Sequence, residues 1–182
     1  MAGVKDASPR IYSIGHSNRP IDKFLALLKA HAIKEVVDVR TIPRSRHNPQ
    51  FNEEDLKLVL RKNRVGYRHL KELGGLRHAA KDSRNLGWQN LSFRGFADYM
   101  ADPQFELGLE KLEKIALKKR TAIMCAEGRP FRCHRSLIAD ALKKRKWKVF
   151  HIQSRITAKP HEFTPFLRTK GGKLFYPKQK GA

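Results

Sequence analysis

The stretch from Cys125 to Arg135 holds the residue types best able to do chemistry in this chain. Cys125 ends a short apolar segment, and a second thiol, an imidazole and a guanidinium follow together at Cys133, His134 and Arg135. A cysteine near a helix start has a lowered pKa, because free N–H groups and nearby cations stabilise its thiolate. The same helix start can bind an anion, and the planar fork of an arginine suits phosphate. We therefore expect Cys133 to be catalytic, and His134 and Arg135 to bind an anion.

The spacing of these residues differs from that of two well-known thiol sites. Cysteine phosphatases and rhodaneses close their anion-binding loop with an arginine six residues after the nucleophile, where Phe131 follows Cys125 and Ala139 follows Cys133 here. A phosphatase of that type is therefore disfavoured. A buried structural cysteine is the competing interpretation of Cys125, since cysteine is among the most buried residue types.

Zinc prefers sulfur and nitrogen ligands, and four residues could supply them: Cys125, Cys133, His134 and His16. The spacing of the two cysteines is not that of a standard zinc motif, and the neighbours Cys133 and His134 are an awkward pair for one ion. Ligand type alone is weak evidence for a metal. The sequence therefore predicts neither a metal nor a cofactor.

Two polar residues alternate at the end of another apolar segment, residues 35–39. In a strand, Asp38 and Arg40 face the same side and Val39 faces the other. They could form an ion pair of little energetic value, or hold a carboxylate and a guanidinium at a cleft. We also expect Asp38 and Glu127 to be catalytic, because paired carboxylates that flank a cleft perform acid–base chemistry.

His16 and Ser17 follow the first apolar segment through Gly15, where glycine permits a backbone conformation closed to other residues. Such a turn is often structural. A function is suggested here because the turn is expected to lie beside the ends of other strands. We expect His16 to be catalytic. Ser17 is expected to bind an anion together with Arg40 and with Arg46, which lies in the polar loop after the second strand.

The elements that position these residues follow from hydrophobic patterning. Short apolar segments alternate with segments such as Ile21 to Leu28, in which apolar residues recur at helical spacing. This alternation predicts an α/β fold of three-layer type, with a mainly parallel sheet of about five strands flanked by helices. Ligands bind beyond the carboxyl ends of parallel strands. We therefore expect the candidate residues to surround one cleft.

The chain divides into a core and a basic extension. Residues 1–152 are predicted to form the α/β core, because 182 residues suit one domain with a sizeable interior. Residues 153–182 form the extension. Within it, short segments on either side of Gly171 and Gly172 predict a small hairpin.

Composition narrows the partners and the compartment. The chain has 39 Lys and Arg against 17 Asp and Glu, a net charge of +22, and such a field attracts polyanions, of which nucleic acid is the commonest. No apolar run approaches the roughly 18 residues that span a bilayer, and because the first residues contain no apolar h-region we expect no secretory leader. With only two cysteines as well, we expect a cytoplasmic protein with no membrane partner.

The motifs taken together resemble those of a known family. They are Ile14-Gly15-His16-Ser17, Asp38-Val39-Arg40, Pro43 with Ser45-Arg46, Leu73-Gly74-Gly75, and Cys125-Ala126-Glu127 leading to Cys133-His134-Arg135. From Ile11 to Ile152 this pattern is similar to that of the uncharacterised prokaryotic family called domain of unknown function 488. The resemblance implies a small cytoplasmic α/β protein with these site residues, and it implies no particular reaction.

Two functions stay open on the sequence. One is an enzyme, a hydrolase or transferase, that acts on a phosphate-bearing substrate such as a nucleotide or nucleic acid. The other is a non-catalytic nucleic-acid-binding or regulatory module, for which the net charge is sufficient. Basic charge around the mouth of the cleft favours the enzyme, and basic charge on the opposite face favours the module.

Overall fold

The structure is a computed structural model that describes residues 8–179. The strands of its main sheet are β1 (Arg10–Gly15), β2 (Glu35–Asp38), β3 (Gly66–His69), β4 (Thr121–Cys125), β5 (Lys148–Ile152) and β6 (Ala158–Pro160). They lie in the order β3-β2-β4-β1-β5-β6, with every neighbouring pair parallel except β5 and β6. The predicted mainly parallel α/β sheet is confirmed. Its sixth strand comes from the extension after Ile152.

Five helices connect these strands, and their ends match local sequence signals. They are α1 (Ile21–Ala30), α2 (Glu53–Lys62), α3 (Leu91–Tyr99), α4 (Pro103–Lys118) and α5 (Arg135–Lys144). Asp102 begins α4, because its carboxylate accepts the Gln104 N–H at 2.7 Å and Pro103 needs no partner for its nitrogen. Asn90 caps α3 in the same way.

The helices cover both faces of the sheet, which gives three layers. On one face, two strand residues pack with one residue from each of α3, α4 and α5: Val37, Ile123, Phe96, Leu109 and Leu137. The opposite face has its own core, formed by strand residues and by α1 and α2: Tyr12, Ile14, Val36, Met124, Phe24, Leu28, Leu56 and Leu60. Alternate residues of each strand enter opposite cores, as the pleat requires.

The C-terminal extension forms the predicted hairpin and packs on the core. Its strands are β7 (Arg168–Lys170) and β8 (Lys173–Phe175), joined by two glycines whose φ angles of 54° and 76° lie in the left-handed region. Nearby, the buried carboxylate of Asp140 in α5 accepts hydrogen bonds from Tyr176, Thr164 and His161. These bonds attach the extension to α5.

Within residues 8–179, no helix combines the length and the apolar character needed to cross a membrane.

Candidate functional site

The carboxyl ends of β1, β2 and β4 lie side by side at one edge of the sheet. Gly15 of β1 is paired with Cys125 of β4, and Asp38 of β2 with Met124 of β4. Backbone pairing continues beyond the strands, since the Ser17 N–H donates to the Ala126 carbonyl at 2.8 Å. The strand-end rule therefore brings together the loops that carry the candidate residues.

Gly15 is required at this edge for a reason that differs from the expected one. Its φ is not in the left-handed region, whereas the φ of Ser17 is 50°. A Cβ atom at Gly15 would lie 2.0 Å from the carbonyl oxygen of Glu127. The expectation of a special glycine conformation is wrong, and close approach of the β4 loop explains the residue instead.

Three sulfur and nitrogen donors meet at the end of β4. Cys125 Sγ, Cys133 Sγ and a ring nitrogen of His134 all lie within 4.8 Å of one another. The Cys133 sulfur is 3.6 Å from His134 Nδ1, and both cysteines are free thiols. His134 Nε2 lies 2.8 Å from the Val39 carbonyl, which fixes the ring. His16, the fourth donor considered from the sequence, is not part of this group.

The electrostatics of the group favour a thiolate on Cys133. A hydrogen bond from the Cys125 thiol holds the pKa of Cys133 well below its ordinary value, and His134 and Arg135 act in the same direction against the effect of burial. The same contact, together with burial, raises the pKa of Cys125. Cys125 is therefore the proton-bearing partner of the pair.

Arg135 lies beneath this group, inside the protein. Its Nε donates to Cys133 Sγ at 3.3 Å, one Nη donates to Ser13 Oγ at 3.0 Å, and the other donates to the Glu127 carbonyl. The side chain is 1% exposed. The predicted contact between Arg135 and an anion would require these bonds to break, so the geometry favours a positioning role.

Asp38 and Arg40 form a buried bidentate pair. Asp38 is 0% exposed, and its oxygens accept from Arg40 Nε at 2.9 Å, from Arg40 Nη2 at 2.6 Å and from the Tyr67 hydroxyl at 2.8 Å. Arg40 also donates to the Phe51 carbonyl at 2.8 Å. Because Asp38 has no exposed surface, it does not flank a cleft with Glu127. Its contacts orient Arg40.

His16 is a buried neutral histidine beside that pair. Burial is the main cause that lowers the pKa of His16 to about 4. Its Nδ1 bonds to the Ser17 carbonyl at 2.7 Å, and its Nε2 faces Arg40 Nη1 at 3.5 Å. The ring stacks on Phe51 with a centroid distance of 4.2 Å.

A cavity of about 500 Å³ opens above the sulfur cluster. Its lining includes Arg40, Glu127, Cys133 and His134 of the predicted site, together with Cys125. The other predicted residues lie outside the lining: Asp38, His16 and Arg135 are buried, Ser17 is half-buried at the end of β1, and Arg46 is exposed in the loop after β2.

The cavity also contains residues outside the predicted set of site residues. Arg44 and Arg132 stand at its rim, and Phe93 and Leu76 form part of its wall. Both arginines belong to loops that follow β2 and β4, so the strand-end rule already pointed to their segments. Phe93 comes from the start of α3, which no strand-end argument reaches.

Gly75 leaves room for His134. A Cβ atom there would lie 2.4 Å from His134 Nδ1 and 2.8 Å from both Cε1 and Cγ. These nearly equal distances mean that Gly75 faces the flat side of the ring. Within the Leu73-Gly74-Gly75 motif, it is therefore Gly75 that packs against His134.

Part of the basic charge is used inside the molecule. Arg145 pairs with Glu106 and Glu113, and Lys143 donates to the His161 carbonyl at 2.7 Å. Lys119 pairs with Glu35. The basic runs at the ends of α4 and α5 are therefore engaged in structural contacts to a greater extent than their sequence suggests.

The comparisons with known proteins identify a family for this chain. The family model described as "Domain of unknown function DUF488" matches residues 20–142, which include the ends of β2 and β4 and the first turns of α5. No curated protein and no solved structure is significantly similar to the chain. Because the family model matches well over half of the sequence, the chain belongs to the DUF488 family.

Proposed function

We propose that the chain is an enzyme that acts on a phosphate-bearing substrate, a nucleotide or nucleic acid, in the cavity above Cys133. One observation carries the proposal. A single cavity has a sulfur and imidazole cluster at its floor and guanidinium groups at its rim. Reactive groups and a means of holding an anion are the two requirements of such an enzyme.

The rim supports phosphate binding. Arg44 and Arg132 line the cavity and are exposed. In the part of the chain that the structure describes, neither side chain has a hydrogen-bond or ion-pair partner. Unpaired guanidinium groups bind phosphate bidentately, and each such bond is stronger than a neutral one.

The wall of the cavity supports a nucleobase next to that phosphate. Ile42 and Leu76 are 59% and 67% exposed, and half-buried Phe93 lies with them along the cavity. An aromatic ring and apolar side chains beside positive charge form a stacking surface for a base. The volume of about 500 Å³ is in the range of small-ligand sites.

Another cavity, of about 660 Å³, is larger and has an arginine, Arg84, in its lining, but it lacks the thiol and imidazole groups. Asp82, Asn85 and Lys173 contribute to its lining, and no cysteine or histidine does. The choice between the two cavities therefore rests on chemistry, and size does not decide it.

The residues take different roles in the proposed enzyme. Cys133, with Cys125 and His134, is the reactive centre. Glu127 lies at the edge of the cavity with an exposed carboxylate that can exchange protons with a bound molecule. Asp38 and His16 act as positioning residues through Arg40. The reaction class is hydrolysis or group transfer.

Binding and turnover can be tested separately. Calorimetry with nucleoside monophosphates and with the matching nucleosides measures the part of the affinity that the phosphate supplies. We expect Arg44→Gln and Arg132→Gln each to weaken nucleotide binding by about tenfold or more, the scale of one charge-assisted hydrogen bond. Arg46→Gln, in the same loop as Arg44 but outside the cavity, is the matched control.

Mass spectrometry of the products then tests turnover. We expect Cys133→Ser to keep nucleotide affinity and to lose conversion of the substrate. Equal binding by the parent, Arg44→Gln and Arg132→Gln would show that the cavity holds no phosphate and would contradict the proposal.

The alternative is a non-catalytic nucleic-acid-binding module, and the net charge of +22 favours it. Exposed basic residues away from the cavity, such as Lys118 and Lys146, would carry such binding. A salt series with duplex and single-stranded DNA measures the number of phosphate contacts. A loss of affinity in Lys118→Gln and Lys146→Gln, with none in the two rim variants, supports the module.

A further inference from the structure

We propose that Cys125, Cys133 and His134 form a binding site for one zinc ion, with an open coordination position that faces the cavity. The geometry of the site is independent of the proposed function, and its part in catalysis rests on that function. The reactive centre of the proposed enzyme otherwise consists of two thiols and an imidazole. The zinc ion would be the group in this centre that performs the chemistry.

The distances between the donors suit a tetrahedral ion. Zinc bonds of about 2.3 Å to sulfur and about 2.0 Å to nitrogen place neighbouring ligand atoms about 3.5–3.8 Å apart. The Cys133 sulfur and His134 Nδ1 are 3.6 Å apart, and the three donor atoms all lie within 4.8 Å of one another. Small side-chain movements suffice to close the set around an ion.

The ring of His134 is oriented as a metal ligand should be. Its Nε2 lies 2.8 Å from the Val39 carbonyl, and a carbonyl oxygen only accepts, so the Nε2–H donates. The remaining nitrogen, Nδ1, then carries a lone pair and faces the cysteines. A backbone carbonyl that binds the second nitrogen is the usual support of a metal-bound histidine.

The space around His134 Nδ1 is open in the plane of the ring, where a metal ion would bind. Gly75 faces the flat side of the ring, as the distances from a Cβ at that position show, and so leaves the in-plane direction of the lone pair free. Arg135 donates its Nε–H to Cys133 Sγ at 3.3 Å, which stabilises a metal-bound thiolate.

The structure answers two objections that the sequence raised to a zinc site. The adjacent residues Cys133 and His134 do bring their donor atoms together, because the chain bends between the short turn Pro130–Arg132 and α5. The fourth donor that the sequence offered, His16, instead faces Arg40 and leaves a three-residue site. Three protein ligands with one free position are typical of catalytic zinc, and four are typical of structural zinc.

The open coordination position of the ion faces the cavity, where a substrate would bind. Cys125, Cys133 and His134 all line the cavity, so the fourth ligand of the ion would come from there. Zinc supplies a Lewis acid and a water of lowered pKa at such a position. The thiolates are then ligands, and the attacking group on the phosphate-bearing substrate is water.

Metal titration of the full chain tests the site without any substrate. Reduced, metal-free protein is titrated with zinc chloride in competition with a chromophoric chelator, and with cobalt chloride followed by absorption. We expect one ion per chain and a thiolate-to-cobalt charge-transfer band. Cys125→Ser, Cys133→Ser and His134→Asn should each weaken zinc binding by about a hundredfold or more, since loss of a supporting residue alone costs about ten- to a hundredfold.

Two controls keep the test independent of folding. His78→Asn, at an exposed histidine, and His16→Asn, at the buried histidine outside the cluster, should leave zinc affinity unchanged. In the parent protein, saturating zinc should protect both thiols from alkylation and raise the melting temperature. A reduced parent protein that shows no cobalt–thiolate band, or whose thiols react equally with and without zinc, would overturn the site.

The failure of this inference differs from that of the proposed function. Turnover of nucleotides by protein that binds no zinc contradicts the metal site and supports the enzyme. One bound zinc with no turnover of any phosphate-bearing substrate supports the metal site and contradicts the enzyme.

Discussion

Arg135 donates its Nε–H to Cys133 Sγ across 3.3 Å, two residues back along the chain. The remaining guanidinium donors bind Ser13 in β1 and the Glu127 carbonyl in the loop after β4. The Arg135 side chain thus links β1, the loop after β4 and Cys133.

Replacing Arg135 by Lys should destabilise the fold and leave anion binding nearly unchanged. A lysine keeps the charge but cannot reach three partners in a plane, so a buried carbonyl or hydroxyl loses its donor. We expect the free energy of unfolding to fall by about 2–4 kcal/mol in urea denaturation. Arg132→Lys, at an exposed rim position, is the control. An Arg135→Lys protein of parental stability but weaker phosphate binding would return Arg135 to the anion-binding role.

Stability should decrease as the pH falls below about 6.5. Burial lowers the pKa of His16 to about 4 and that of His151 to about 3, from an ordinary 6.5. Between those values the unfolded chain binds more protons than the folded one, so acid favours unfolding. Each histidine should cost on the order of 2 kcal/mol between pH 7 and pH 5.

Urea denaturation at several pH values measures that loss. The variant His16→Asn should have a shallower dependence on pH, because one of the two imidazoles with a lowered pKa is gone. His47→Asn, at an exposed position, should keep the slope of the parent. A free energy of unfolding that is constant from pH 7 to pH 5 would contradict the assignment.

Replacing Asp38 by Asn should be strongly destabilising. The amide cannot neutralise the buried guanidinium of Arg40 and turns a donor toward it. Breaking one side of a buried ion pair costs about 3–5 kcal/mol. The double variant Asp38→Asn with Arg40→Gln should recover part of this loss. Glu127→Gln, at an exposed carboxylate, should change stability by about 0.5 kcal/mol or less.

The sequence assigned Asp38 to catalysis, and the same variants test that assignment. A stable but inactive Asp38→Asn protein supports direct catalysis by the carboxylate. An unstable protein whose activity per folded molecule survives supports the positioning role.

Replacing Gly75 by Ala should displace the ring of His134. The new methyl group would lie 2.4 Å from Nδ1, far inside contact distance. We expect loss of the bond between His134 and the Val39 carbonyl and a cost of about 1–3 kcal/mol, the range for overpacking. Proton NMR of the histidine ring and urea denaturation measure the two effects. Gly128→Ala is the control, because its nearest neighbour would be Ser17 Cβ at 3.3 Å. Unchanged His134 resonances in Gly75→Ala would contradict the packing argument.

The sequence alone was sufficient to predict the sheet and the edge of it that carries the site. Alternation of short apolar segments with helical periodicity is a local property, and a parallel sheet follows from it. Parallel strands all point their carboxyl ends the same way, so Gly15, Asp38 and Cys125 had to meet at one edge. The family membership rests on residues 20–142, which include the ends of β2 and β4.

Which way each side chain faces was decided only by the tertiary structure. Cys133 is in an extended conformation and α5 begins only at Arg135, so the backbone changes direction within this stretch and its three side chains need not face the same way. Arg135 faces the interior, and His134 faces Val39 and the cysteines. Residue type could not reveal this, because loop conformation and contacts with distant strands set the direction.

Which residues form the rim of the cavity was likewise decided only by the tertiary structure. Arg44, Arg46 and Arg132 are alike in the sequence, yet two of them line the cavity and one does not. His16 shares the edge with the cysteines but turns toward Arg40 and Phe51, where stacking and burial hold it. The direction of a loop side chain depends on packing between segments far apart in the chain, and the hydrophobic periodicity of helices and strands does not extend to these loops.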